Sequence, residues 1–158
     1  MTERATQIEI PGVVWSAGAP EPFVVSTEQR TYLAFYHPDG APTDGEGDEV
    51  TVTELVGCTS FKFGFPSDEV LNGHPLYGRG LNYYRLHAVE DSAWLRELRA
   101  IEAVHPKAPA KPFENSRHFV LIFHDTTLEA VATDLKVIGT YHSRADAMTA
   151  MTALAGLA

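Results

Sequence analysis

The stretch RHFVLIFHDTTLEAVAT, residues 117–133, decides how this chain folds. It holds two β-rich runs, 117–123 and 128–133, separated by the short polar residues 124–127. Aromatic and β-branched residues fit a pleated, half-buried surface, and a polar interruption between two such runs is a hairpin signal. A two-residue turn at Asp125-Thr126 sets His124 against Thr127, Phe123 against Leu128 and Ile122 against Glu129. Side chains alternate along a strand, so the ribbon has two faces. One face carries Phe119, Leu121, Phe123, Leu128, Ala130 and Ala132, is wholly apolar, and belongs on a core. The other carries His118, Val120, Ile122, His124, Thr127, Glu129, Val131 and Thr133, with titratable groups set among aliphatics.

That second face has the composition of a pocket wall, apolar with a few placed polar groups. In this register His124 and Glu129 are diagonal neighbours, and an imidazole beside a carboxylate is the usual form of a tuned acid or base. A solvated outer face is the competing reading, because antiparallel sheets commonly leave one face to water. His118 lies further along the strand and is read as a structural or rim residue.

Working outward, further strands are expected over 31–37 and 49–63, where Gly57 marks a bend, and over 81–88 and 135–141. Helices are expected over 93–104, capped by Asp91 or Ser92, and from Ser143 onward, where Asp146 three residues later approaches a capping box. Trp94, Leu95, Leu98 and Ile101 form the stripe of the first helix. Ala145, Met148, Met151, Thr152 and Ala155 form that of the second. The Pro- and Gly-rich residues 1–28 read as an arm or edge strand, with extended pieces over 8–10 and 23–25. The order of strands, helix, strands, helix implies an α+β domain spanning 1–158. Its antiparallel sheet is strongly curved or barrel-like, with about two helices packed on one face.

Between the 49–63 and 81–88 strands runs FGFPSDEVLNGHPLYGRGL, residues 63–81. A connection longer than about 12–15 residues is uncommon in a domain and is usually functional or disordered. Phe63, Phe65, Val70, Leu71, Leu76 and Tyr77 argue for a packed loop. Folded over the mixed face as a lid, it brings His74 to a ligand, with Tyr77, Arg79, Asp68 and Glu69 as substrate-binding candidates. Tyr84, on the following strand, completes that set. Gly78-Arg79-Gly80 leads into a strand and lacks a third glycine, so it is not a nucleotide fingerprint. The same segment, together with HFVLIFHDTTLE, resembles a small family of largely uncharacterised bacterial proteins. The resemblance covers about the central half of the chain and implies no activity or catalytic residue.

Composition limits the partners. The formal charge of −9 repels phosphate backbones and anionic lipids, so neither nucleic acid nor membrane is expected. One cysteine, Cys58, excludes an intrachain disulfide, and the start has no signal-peptide run, which together favour the cytoplasm. Asp44, Glu46 and Asp48 alternate like a calcium loop, but Glu49 and Leu55 stand where that loop needs Gly and Glu, leaving a solvated hairpin tip. His74, His124 and Glu129 would match a two-histidine, one-carboxylate metal set drawn from distant segments. The expectation is nevertheless no metal and no organic cofactor.

Two functions fit. The first is a small-molecule enzyme of isomerase, lyase, cyclase or hydrolase type, with His124 as acid or base, Glu129 orienting it, and His74 closing over the substrate. The second is a non-catalytic ligand-binding or protein-interaction domain of accessory or immunity type. Strand addition at a sheet edge is one route to a homodimer, on which the sequence is silent.

Overall fold

A computed structural model describes residues 2–13, 21–36 and 49–158. The acidic segment expected as a hairpin tip lies outside the described residues, as does His37. Among the described residues are nine strands: β1 (Arg4–Ile8), β2 (Phe23–Ser26), β3 (Thr31–Tyr36), β4 (Val50–Val56), β5 (Ser60–Gly64), β6 (Leu86–Glu90), β7 (Arg117–Ile122), β8 (Thr127–Ala132) and β9 (Asp134–Tyr141). Two α-helices, α1 (Ala93–Glu102) and α2 (Arg144–Leu154), and a 3-10 segment at Asp68–Gly73 complete the fold.

The class is α+β, but the strands form two antiparallel sheets, ordered β1-β6-β7-β8-β5 and β2-β3-β4-β9, where one curved or barrel-like sheet was expected. The reason lies at one corner. The expected strand over 49–63 breaks at Gly57, whose φ of +59° suits a residue without Cβ. β4 then continues as β5 in the other sheet. Beside it the chain makes the reverse crossing from β8 to β9. Thr133 N–H donates to Val56 O at 2.8 Å, and Thr59 N–H donates to Val131 O at 2.8 Å, which ties the two crossings together.

The two sheets stack face to face. Leu33, Phe35, Leu55 and Leu135 of one meet Leu86, Phe119, Leu121, Phe123, Leu128, Ala130 and Ala132 of the other. The apolar face of the 117–133 hairpin therefore lies in the core, as its alternation requires. The Phe35 and Phe123 rings meet across it at 5.5 Å.

The helices do not share a face. α2 covers the outer side of the second sheet, where Ala147 and Met151 seal Tyr32, Ala34, Val50 and Val52. The buried ridge is thus Ala147, Met151 and Ala155, at i, i+4 and i+8, while Met148 is largely exposed. α1 packs by β7 on the outer side of the first sheet. Its stripe fades after Leu95, and Ile101 is exposed because the helix runs beyond the sheet's cover. Ser92 and Ser143 cap the two helices, accepting Leu95 N–H and Asp146 N–H, both at 3.0 Å. β1 and β2 are end strands of their sheets, with β1 lying earlier than the extended piece expected over 8–10. No helix among the described residues is long and apolar enough to cross a membrane.

The long connection is packed. Leu71, Leu76 and Leu81 lie on Val120 and Ile122 of the mixed face, together with Ala5 and Val89. The face is therefore neither wet nor open along its aliphatic half. Backbone bonds pin the loop: Asp68 N–H to His124 O at 2.9 Å, and Ala5 N–H to Arg79 O at 2.8 Å. Gly80 crosses β1 so closely that a Cβ would fall 1.9 Å from Ala5 O. The expected strand over 81–88 starts only at Leu86, after Tyr84 takes a left-handed φ of +54°.

Candidate functional site

The hairpin turn sits one residue earlier than expected. Phe123 N–H donates to Thr126 O at 2.9 Å, so His124-Asp125 are the central residues. Moving a two-residue turn by one position slides every cross-strand partner by two. Parity survives, so both faces keep their membership, but each residue meets a new neighbour. Glu129 lies opposite Val120, and His118 opposite Val131. Glu129 is therefore diagonal to His118, and the expected His124–Glu129 contact is replaced.

Glu129 is the centre of the site. Its Oε1 lies 2.8 Å from His118 Nε2 and its Oε2 lies 3.2 Å from His74 Nε2. His118, expected as a structural or rim residue, is buried and joins Glu129. The available signal was parity, since it shares a face with Glu129. Burial opposes ionisation of Glu129, but the bond from His118 and then that from His74 outweigh it, holding the carboxyl at about 2. An ionised carboxylate only accepts hydrogen bonds, so both Nε2 atoms donate.

The other ring nitrogens are also engaged. Leu76 N–H donates to His74 Nδ1 at 3.1 Å, which fixes the tautomer with hydrogen on Nε2. His118 Nδ1 lies 2.7 Å from Ser92 Oγ, the same oxygen that caps α1. A continuous chain of bonds thus runs from the start of α1 through His118 and Glu129 to the loop. His74 and His118 side chains are only 6% and 2% exposed, so these bonds are largely shielded from water.

Above Glu129 is an open cleft of about 300 Å3, with Lys62 of β5, Trp94 and Glu97 of α1, and Pro75 of the loop in its walls. Lys62 pairs opposite Glu129 in the sheet, and its Nζ sits 4.1 Å from the centre of the Trp94 ring. The Trp94 and His118 rings also meet nearly at right angles, 5.2 Å between centres. Glu3 reaches the same wall, accepting Ala93 N–H at 2.9 Å at the start of α1. Lys62, Trp94, Glu97, Ser92 and Glu3 are not legible as site residues in the sequence, because each comes from a segment remote from the hairpin.

The remaining candidates form a second, more exposed group. His124 is 43% exposed, its Nδ1 lies 3.0 Å from Asp125 Oδ1, and its Nε2 lies 3.7 Å from Asp68 Oδ2. Those carboxylates raise its proton affinity, the Asp125 hydrogen bond first and the Asp68 charge second, with Glu69 adding to the field. Tyr84 O–H donates to Asp68 Oδ2 at 2.5 Å, and its ring stacks on His124. Tyr83 and Tyr77 extend this row of rings. Arg79 belongs to neither group and lines a separate hollow with Thr2 and Arg4. The residues expected to form a single centre are therefore divided: His74 with Glu129, and His124 with Asp68, Glu69, Tyr84 and Tyr77.

His74, His124 and Glu129, the set weighed as metal ligands, do not come together, since His124 lies with Asp68. His118 takes the third place, but the two imidazoles hold opposite oxygens of the carboxylate. Among the described residues no group of three or more His, Cys, Asp or Glu is arranged to hold a metal ion. Cys58 lies in the turn at the sheet corner, half-buried, with its thiol pushed up by burial. His87, buried on the same face as His118, is lowered by that burial; it accepts Asn82 N–H on Nε2, and its Nδ1 pairs with Val120 O. Comparison with known proteins finds no matching family model, no matching curated protein and no matching solved structure.

Proposed function

We propose that this chain binds a small molecule in the cleft above Glu129, and that the site acts as a binding site without acid–base turnover. The observation that carries this reading is the use of all four ring nitrogens of His74 and His118. Each faces an internal partner, so neither imidazole presents a free nitrogen to the cleft. The carboxylate they hold is a fixed anion, with a proton affinity far below that of a useful base at neutral pH. Such a group anchors a ligand better than it abstracts a proton. Cytoplasmic residence, read from composition and the single cysteine, belongs to the same proposal, as does a homodimer built by strand addition at an end strand.

A second reading keeps the enzyme and moves it. Of the three imidazoles His74, His118 and His124, it is His124 that reaches solvent; its proton affinity is raised, and Asp68, Asp125 and Tyr84 stand about it. Acid–base chemistry would then use His124, with Tyr84 and Asp68 contacting the substrate.

One experiment separates the two. A small-molecule library is screened by thermal shift against the wild type, Glu129→Gln and His124→Ala, each checked for a native circular dichroism spectrum. The binding reading expects compounds that stabilise the wild type and His124→Ala but not Glu129→Gln. Compounds lost on His124→Ala and kept on Glu129→Gln would overturn it in favour of the second site.

A further inference from the structure

We infer that the cleft takes a small alkylamine, whose ammonium rests on the Trp94 ring where the Lys62 ammonium now sits. The inference rests on the reading of this cleft as a ligand site and names the ligand's class. Three observations carry it.

The first is the ring. An ammonium within about 6 Å of an indole centre is attracted by the negative face of the π system. Lys62 Nζ, at 4.1 Å, occupies that position. The Trp94 ring packs nearly perpendicular to the His118 ring, 5.2 Å between centres, and so lies against the same bonded histidine that holds Glu129.

The second is charge. Of the described residues lining the cleft, Glu3, Glu97 and Glu129 are carboxylates and Lys62 is the one ammonium. Glu97 follows Trp94 by three residues on α1 and so projects from the same side of the helix. Glu129 lies directly across from Lys62 in the β5–β8 pairing. An anionic ligand would meet this excess of carboxylate with only Lys62 to receive it. A cation meets complementary charge, and the overall charge of −9 draws cations toward the surface.

The third is that Lys62 is a removable occupant. It comes from β5, an end strand, and its side chain is exposed. Its four-carbon stem ending in an ammonium is itself an alkylamine. A ligand of that form replaces the lysine head contact for contact, while Lys62 swings to solvent at little cost to the fold. Lys62 thereby competes with the ligand.

The test uses n-butylammonium chloride as the probe and sodium butyrate as the charge-reversed control, titrated into the full chain. Binding is followed by the Trp94 indole N–H resonance and by calorimetry. Butylammonium is expected to shift the Trp94 signal saturably and butyrate to leave it unmoved. Lys62→Met keeps the stem, removes the competing charge, and is expected to tighten butylammonium binding roughly fivefold. Lys62→Arg keeps a cation and is expected to give no gain. Trp94→Leu is expected to abolish the interaction, and the Lys62 pair stands on its own if that variant is poorly folded. Equal or weaker binding by Lys62→Met, or a preference for butyrate, overturns the amine assignment. If library compounds still depend on Glu129 in that event, the cleft remains a ligand site for another class. If amine binding follows Lys62 and Trp94 while library compounds ignore Glu129, the amine assignment stands and the anchoring role of Glu129 falls.

Discussion

Glu129 concentrates the energetics of the site in one side chain. Its carboxyl is held at about 2 against an ordinary value of 4.5. Between those values the unfolded chain binds more protons than the folded one, so stability rises with pH through that window. The contribution is fully present above 4.5 and is lost as pH falls toward 2, with a size of about 3 kcal/mol. Urea unfolding of Glu129→Gln from pH 3 to 7 is expected to show a flatter acid limb than the wild type. At pH 7 that variant is expected to be less stable by about 2 kcal/mol, because two charge-assisted bonds become neutral. His124 carries the opposite sign. Its raised value means that its interactions stabilise the fold below 6.5, and that this is lost as pH rises through the folded value. An NMR titration should place its midpoint above 6.5, and Asp125→Asn should lower that midpoint more than Asp68→Asn. A midpoint at or below 6.5 would remove the basis for the second functional reading.

At the scale of the element, two serine caps invite a direct comparison. Ser143 makes a plain cap on α2, so Ser143→Ala is expected to cost about 1 kcal/mol. Ser92 caps α1 and also pairs with buried His118, so Ser92→Ala leaves a ring nitrogen unsatisfied as well and is expected to cost about 2–3 kcal/mol. Equal costs in chemical denaturation would mean that the Ser92–His118 bond contributes nothing. Capping is a local pattern of residue types within four positions, so Ser143 was legible outright and Ser92 as one of two candidates beside Asp91. The hairpin turn was legible only in part. HDTT offers two adjacent two-residue turns, and local propensity does not choose between His124-Asp125 and Asp125-Thr126. That choice decides whether Glu129 meets His118 or His124. Packing of Tyr84 on His124, and the bond from Asp68 N–H to His124 O, hold the turn from outside the hairpin.

At the scale of the molecule, the long loop behaves as a fourth layer, fastened to the outer face of the first sheet by Leu71, Leu76 and the His74–Glu129 bond. Leu71→Ala is expected to destabilise the fold by about 3 kcal/mol, as for a fully buried leucine. In hydrogen exchange it should release the amides of Asp68, His74 and Leu76 together, while amides of β7 keep their protection. Simultaneous loss on β7 would mean that the loop has no separate opening.

The sequence by itself determined the faces of the central hairpin, the antiparallel α+β class, the helix starts, and the presence of a packed long loop bearing His74. These follow from alternation, capping and apolar content, which are properties of neighbouring residues. Only the tertiary structure decided the split into two sheets at Gly57 and Thr133, the placement of α1 and α2 on opposite sides, and the partners of Glu129. Each of those depends on which distant surface a segment buries against, and no local pattern encodes the distance between a lysine on β5, a tryptophan on α1 and a carboxylate on β8.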